Sequence, residues 1–116
     1  MKKILVVDDD VDILNIVQHI LISSGHHVKT HSTGLDVPNI VKHYHPNIIL
    51  LEKSFAEKLD MEICIELNQI NMHLPIIVFS AQVEKENSLD LCKGDESLQK
   101  PFEIKHLMDT LNLHLN

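Results

Sequence analysis

Residues 46–54 read PNIILLEKS: an apolar run, Ile48-Ile49-Leu50-Leu51, set between Pro46-Asn47 and the carboxylate of Glu52. Four consecutive apolar residues suit a strand covered on both faces, as in a parallel sheet packed between helices. A carboxylate at the tip of such a strand is costly to desolvate, so it needs a partner, a cation or a task. The pattern recurs. Ile4-Leu5-Val6-Val7 runs into Asp8-Asp9-Asp10, and Ile76-Ile77-Val78-Phe79 follows Pro75 and runs into Ser80. Weaker strands are expected over Val28–Ser32 and around Leu98, just before Lys100.

Amphipathic stretches separate these runs. From Val11 to Ser24, Ile13, Ile16, Val17, Ile20 and Leu21 recur at helical spacing, and Gly25 suits a left-handed cap. Thr33-Gly34 is the expected turn after the second strand. Further helices are expected over about Leu35–His43, Leu59–Gln69, Glu84–Cys92 and Glu103–Leu113, with Pro38 tolerated only in a first turn. Five strands alternating with five helices predict a doubly wound α/β fold, one parallel sheet with helices on both faces. A length of 116 residues allows one such domain, spanning residues 1–116, and leaves no room for a second.

Composition excludes several functions. A net charge of −7, with Lys and Arg totalling 10, argues against direct nucleic-acid binding, and 3% aromatic residues against a base-stacking platform. No apolar run approaches the roughly 20 residues needed to cross a bilayer. The opening MKKILVVDDD reads as a strand and not as a secretory leader, so a cytoplasmic location is expected, with Cys64 and Cys92 reduced. The nine histidines could suggest a metal site, but the helical His pair with an adjacent acid is missing. They read instead as solvated side chains on helix ends and turns.

In a doubly wound sheet, function gathers outside the carboxyl ends of the strands. Those tips carry Asp8-Asp9-Asp10, Glu52, Ser80 and Lys100. Asp10 suits the N-cap of the helix opening at Val11. Clustered carboxylates require a cation, and hard oxygen ligands suit Mg²⁺. Lys100 could instead neutralise the cluster in a buried ionic network without further chemistry. The loop after the first strand has no glycine, so it is no phosphate cradle, and three aspartates would repel a nucleotide or flavin phosphate.

These residues resemble a known family. Lys3-Ile4-Leu5-Val6-Val7-Asp8-Asp9-Asp10, Pro46-Asn47-Ile48-Ile49-Leu50-Leu51, Pro75 to Ala81 and Lys100-Pro101-Phe102 are similar, in order, to the signatures of receiver domains of two-component response regulators. The resemblance covers essentially the whole chain. It implies a flavodoxin-like (βα)5 fold with strand order 2-1-3-4-5, for which receivers are a standing example. It also implies a phosphorylation switch without enzymatic turnover of its own, partnered by a histidine kinase or other signalling protein. The expected state is a monomer or weak homodimer. In the family, an aspartate ending the third strand accepts the phosphoryl group, acids after the first strand hold Mg²⁺, and a hydroxyl and a lysine grip the phosphoryl oxygens. Carried over, Asp8 and Asp9 match the acidic pair, Ser80 the hydroxyl and Lys100 the lysine. The metal set becomes Asp8, Asp9, Glu52 and the carbonyl of Ser54.

Glu52 falls on the acceptor position and departs from the pattern. Its arm is longer than that of Asp by one C–C bond, roughly 1.5 Å, and phosphoryl transfer is sensitive to positioning on that scale. The usual proline- and glycine-containing loop after the third strand is replaced by Ser54-Phe55-Ala56-Glu57-Lys58. Ser97 stands three residues before Lys100, where the family places a switching aromatic. The segment between Ser80 and Lys100 is also slightly short. These departures imply an atypical, pseudo-receiver module that interacts with proteins without ordinary phosphorylation. The alternative is a Mg²⁺-dependent phosphatase or phosphotransferase of the haloacid dehalogenase type. Such enzymes carry their nucleophile at the end of the first strand and need a second acidic motif late in the chain. Only Glu103 and Asp109 in the last helix are candidates for that motif, and there is no room for a cap. The unit is expected either to stand alone or to belong to a longer regulator.

Overall fold

The computed structural model describes residues 2–52, 62–70, 73–80, 96–99 and 104–115. Its elements are β1 (Lys3–Val7), α1 (Val11–Ser23), β2 (His27–His31), α2 (Val37–Tyr44) and β3 (Ile48–Glu52), followed by α3 (Glu62–Ile70), β4 (Ile76–Ser80), β5 (Glu96–Gln99) and α4 (Ile104–Leu115). The helix expected over 84–92 lies outside the described residues. All strand pairs are parallel, and the sheet order is β2-β1-β3-β4-β5. The sheet is therefore the doubly wound one that the alternating pattern predicted.

Alternation along the strands divides the core in two. Leu5, Val7, Ile49, Leu51, Ile76 and Val78 face one way, where Val37 and Val41 of α2 and Leu67 of α3 cover them. Ile4, Val6, Ile48, Leu50 and Ile77 face the other way, under Leu14, Val17 and Leu21 of α1 and Leu107 and Leu111 of α4. Ile4–Val7 and Ile48–Leu51 are each fully buried, so β1 and β3 are apolar on both sides, as their unbroken runs required. On α1 the expected stripe shifts. Leu14, not Ile16, completes the buried face, and Ile16 is 55% exposed. Positions 14, 17 and 21 lie on one helical face, which leaves position 16 outside it.

The helix ends explain where the chain turns. Asp10 caps α1, its carboxylate accepting the Asp12 and Ile13 N–H groups at 3.0 and 3.3 Å. At the other end the Gly25 N–H donates to the Ile22 carbonyl and the His26 N–H to that of Leu21, a Schellman closure. Gly25 sits at φ 92°, the left-handed conformation expected of it. The turn after β2 departs from expectation. Its positive φ falls on Asp36 (63°) and not on Gly34, so α2 starts two residues later than the sequence suggested, with Pro38 in its first turn.

Candidate functional site

One rung crosses all five strands: His31, Val7, Leu51, Val78 and Ser97 stand in register. Every residue of the expected site that the structure describes, other than Ser97 in the rung itself, lies just beyond it. Asp8 follows Val7 and Glu52 follows Leu51, while Ser80 lies two residues past Val78 and pairs with Gln99. The parallel register therefore brings the acids of β1 and β3 to one level at the carboxyl edge, with the end of β4 beside them. Lys100 and Ser54 lie outside the described residues.

The three aspartates divide the work among them. Asp8 is fully buried, and its carboxylate accepts the Asp10 N–H at 2.9 Å. Its own N–H donates to the His31 carbonyl at 3.1 Å, continuing the β1–β2 ladder one step past the strand. Asp10 is committed to the α1 cap. Asp9 is exposed and, among the described residues, makes no hydrogen bond or ion pair, which leaves its carboxylate free for a ligand. Glu52 is half-buried at the tip of β3. Asp8 and Glu52 each have further interaction partners, as carboxylates withdrawn from water require.

Sequence reasoning overlooked His31 at this rim. Its Nε2–H donates to the Leu35 carbonyl at 2.6 Å, and the Leu35 N–H donates to the Thr33 hydroxyl at 3.0 Å. The β2 tip that receives the Asp8 N–H is thereby tied into a compact turn. The signal is present as His-Ser-Thr-Gly, a histidine with a hydroxyl two residues on, a pattern that fits neither a metal ligand set nor a solvated helix end.

Among the described residues no three His, Cys, Asp or Glu side chains come together as a metal-holding group. A Mg²⁺ ion does not need such a cage, because it is commonly held by one or two carboxylates and completes its shell with water. One exposed carboxylate, Asp9, one residue past the level of a half-buried carboxylate, Glu52, is a donor set of that kind. Among the described residues no helix is long and apolar enough to cross a membrane.

Comparison with known proteins agrees with this geometry. Residues 4–112 match the family model described as the response regulator receiver domain. The chain is 32% identical to the transcriptional regulatory protein SpaR of Bacillus subtilis, over 99% of this chain and 52% of SpaR. It is 34% identical to the alkaline phosphatase synthesis transcriptional regulatory protein PhoP of Bacillus subtilis (strain 168), over 91% of this chain and 45% of PhoP. The chain thus spans about half the length of these curated relatives. Among solved structures, the chemotaxis protein CheY4 of Vibrio cholerae superposes with a TM-score of 0.80 at 23% identity, covering 99% of both chains, and this shows a shared fold. The relatives give no support to the phosphatase reading. Receiver domains are generally signalling modules that interact with histidine kinases or phosphotransfer proteins. On its sequence, its fold and its relatives, the chain belongs to the receiver-domain family of two-component response regulators.

Proposed function

We propose that residues 1–116 form one atypical receiver, in which Glu52 occupies the phosphoacceptor position and supplies a standing negative charge in place of a transient phosphoryl group. The observation that carries this reading is the position of Glu52. It closes β3 on the level of Asp8, with the end of β4 at Ser80 one residue further on. A phosphoryl group on an aspartate would add a charge near −2 and three acceptor oxygens. Glu52 adds a single charge, displaced outward by one bond, toward where Ser80 and Lys100 would receive those oxygens.

The remaining roles follow from the same placement. Asp9 and Glu52, with the Ser54 carbonyl, would hold Mg²⁺, and Asp8 would act on it through water. The ion would neutralise the clustered acids, and weak binding is expected from so few protein ligands. Ser97 lacks the ring that would report on the rim, so the domain holds a largely fixed conformation that a kinase or other signalling protein reads. A Glu–Lys contact of this kind biases a two-state loop by about 1–2 kcal/mol, a shift and not a lock.

Replacing Glu52 by Gln tests the idea, because it keeps the shape and removes the charge. The amide resonances of Ser80, Ser97 and Gln99 are expected to move, and Asp9→Asn to abolish any Mg²⁺-dependent change. An unaltered spectrum in Glu52→Gln would remove the standing charge from the account.

A further inference from the structure

The opposite edge of the sheet carries chemistry that the receiver reading does not use. The segments leading into β2, β1, β3 and β4, in their order across the sheet, contribute His26 and His27, Lys2 and Lys3, Lys42 with His43 and His45, and His73. None of these segments contains an Asp or Glu, although the chain as a whole has a net charge of −7. The basic stretch ends at β5, which opens on Glu96. On the same edge, between the end of α2 and the end of α3, lies a cavity of about 430 Å³. Val41, Pro46, Ile70 and Leu74 supply its apolar lining, and Lys42 and His45 its polar one. Both Lys42 and His45 are exposed, and among the described residues neither side chain is engaged in a hydrogen bond or ion pair.

An apolar hollow beside an unspent ammonium and imidazole suits a ligand with an apolar body and a negative charge close to it. The extent of the basic track selects the size of that ligand. Adjacent strands lie about 4.8 Å apart, so four strand starts span roughly 15 Å, well beyond the cavity alone. An extended peptide advances about 3.3 Å per residue, so some five residues cover the track. Several neighbours are already committed and make the surface firm. The Lys3 ammonium donates to the Tyr44 carbonyl at 3.3 Å and lies 5.6 Å from the Tyr44 ring centroid. Asn47 accepts the Lys3 N–H at 2.8 Å, tying β1 to the start of β3.

We propose that this amino-end edge is a docking surface for an acidic, extended segment of a partner protein, with one aliphatic side chain seated in the cavity. The surface is independent of Glu52 and remains whether or not the rim accepts phosphate. Its charge complementarity is local. The chain as a whole, with a net charge of −7, repels an acidic peptide, so binding here depends on the local charge of this edge.

The probes are three fluorescein-labelled peptides, EELEE, EESEE and QQLQQ, titrated by anisotropy and by amide shift mapping. EELEE is expected to saturate, moving the amides of Val41, Asn47, Ile70 and Leu74, with the other two binding at least several-fold more weakly. Raising salt from about 50 to about 300 mM is expected to weaken it several-fold, since exposed charges are screened over that range. Lys2→Glu and Lys42→Glu, both at exposed positions, should each weaken it about tenfold with the unfolding midpoint unmoved. Should either variant fold poorly, the salt dependence and shift map of the unaltered protein decide the matter. Failure to saturate, shifts confined to other surfaces or undiminished binding by Lys42→Glu would overturn the proposal. So would binding of anionic vesicles or duplex DNA, lost in Lys42→Glu, where EELEE does not bind.

Discussion

At the carboxyl edge of the sheet, Asp8, Asp9, Asp10 and Glu52 gather at two adjacent strand tips. At the amino edge, Lys2, Lys3, Lys42 and five histidines gather at four. The same two-sided apolar core supports both edges, since Ile4–Val7 of β1 and Ile48–Leu51 of β3 are fully buried. The edges differ in how their polar groups are employed. The acids at the rim are mostly bound into local structure: Asp8 holds the Asp10 N–H, and Asp10 caps α1. At the amino edge Lys42 and His45 stay exposed and uncommitted among the described residues. The rim thus spends most of its acids on local structure, whereas the amino edge uses Lys3, Asn47 and His26 to tie its segments together and leaves Lys42 and His45 as surface charge and polarity.

The largest effect should come from the core the edges share. Leu50 is fully buried on the central strand between Ile4-Val6 and Ile77. Leu50→Ala is expected to lower stability by about 2–5 kcal/mol in urea unfolding. A smaller loss would mean that the two edges are held separately and not through one core.

Next come the two ends of α1, one at each edge. Asp10→Ala removes a side-chain cap and should cost about 1 kcal/mol. At Gly25 an added Cβ would meet nothing within 4 Å, so Gly25→Ala should cost about 1–2 kcal/mol through backbone conformation alone. Chemical denaturation of both variants checks the contrast, because the rim loss reflects a side chain and the amino-edge loss a backbone angle. An Asp10→Ala variant as stable as the unaltered protein would break it.

The smallest effect concerns pH. The His26 Nδ1 accepts the Lys2 N–H at 3.4 Å, using a lone pair that protonation removes, and burial holds its pKa below the usual 6.5. The unfolded chain therefore takes up this proton first. The stability contributed by neutral His26 is full above the unfolded value and is lost as pH falls from there through the folded one. Comparing urea midpoints at about pH 8 and about pH 5.5, His26→Gln should lose slightly less stability on acidification than the unaltered protein. An equal loss in both would exclude His26 from the amino-edge scaffold.

The fold was largely legible because its signals were local. Unbroken apolar runs marked the buried strands, Gly25 marked a left-handed closure and Asp10 a cap. Legibility failed where the backbone carried the decision. Asp36 and His45 adopt left-handed angles that their side chains do not announce, and this moved the start and end of α2. On α1 two candidate stripes competed, and only packing against the sheet chose Leu14 over Ile16. The rim residues could be read from their strand tips, but their shared level depends on parallel register. The amino-edge basic track was invisible as a unit, because its residues come from four segments far apart in the chain.

Intact mass after incubation with acetyl phosphate and Mg²⁺ tests the acceptor position directly. The unaltered protein should gain no phosphoryl group. Glu52→Asp restores the shorter arm beside Asp8, Asp9 and Ser80, and should gain one, the carboxylate taking the phosphoryl group as acetate leaves. Stoichiometric phosphorylation of the unaltered protein, lost in Glu52→Ala, would contradict the account.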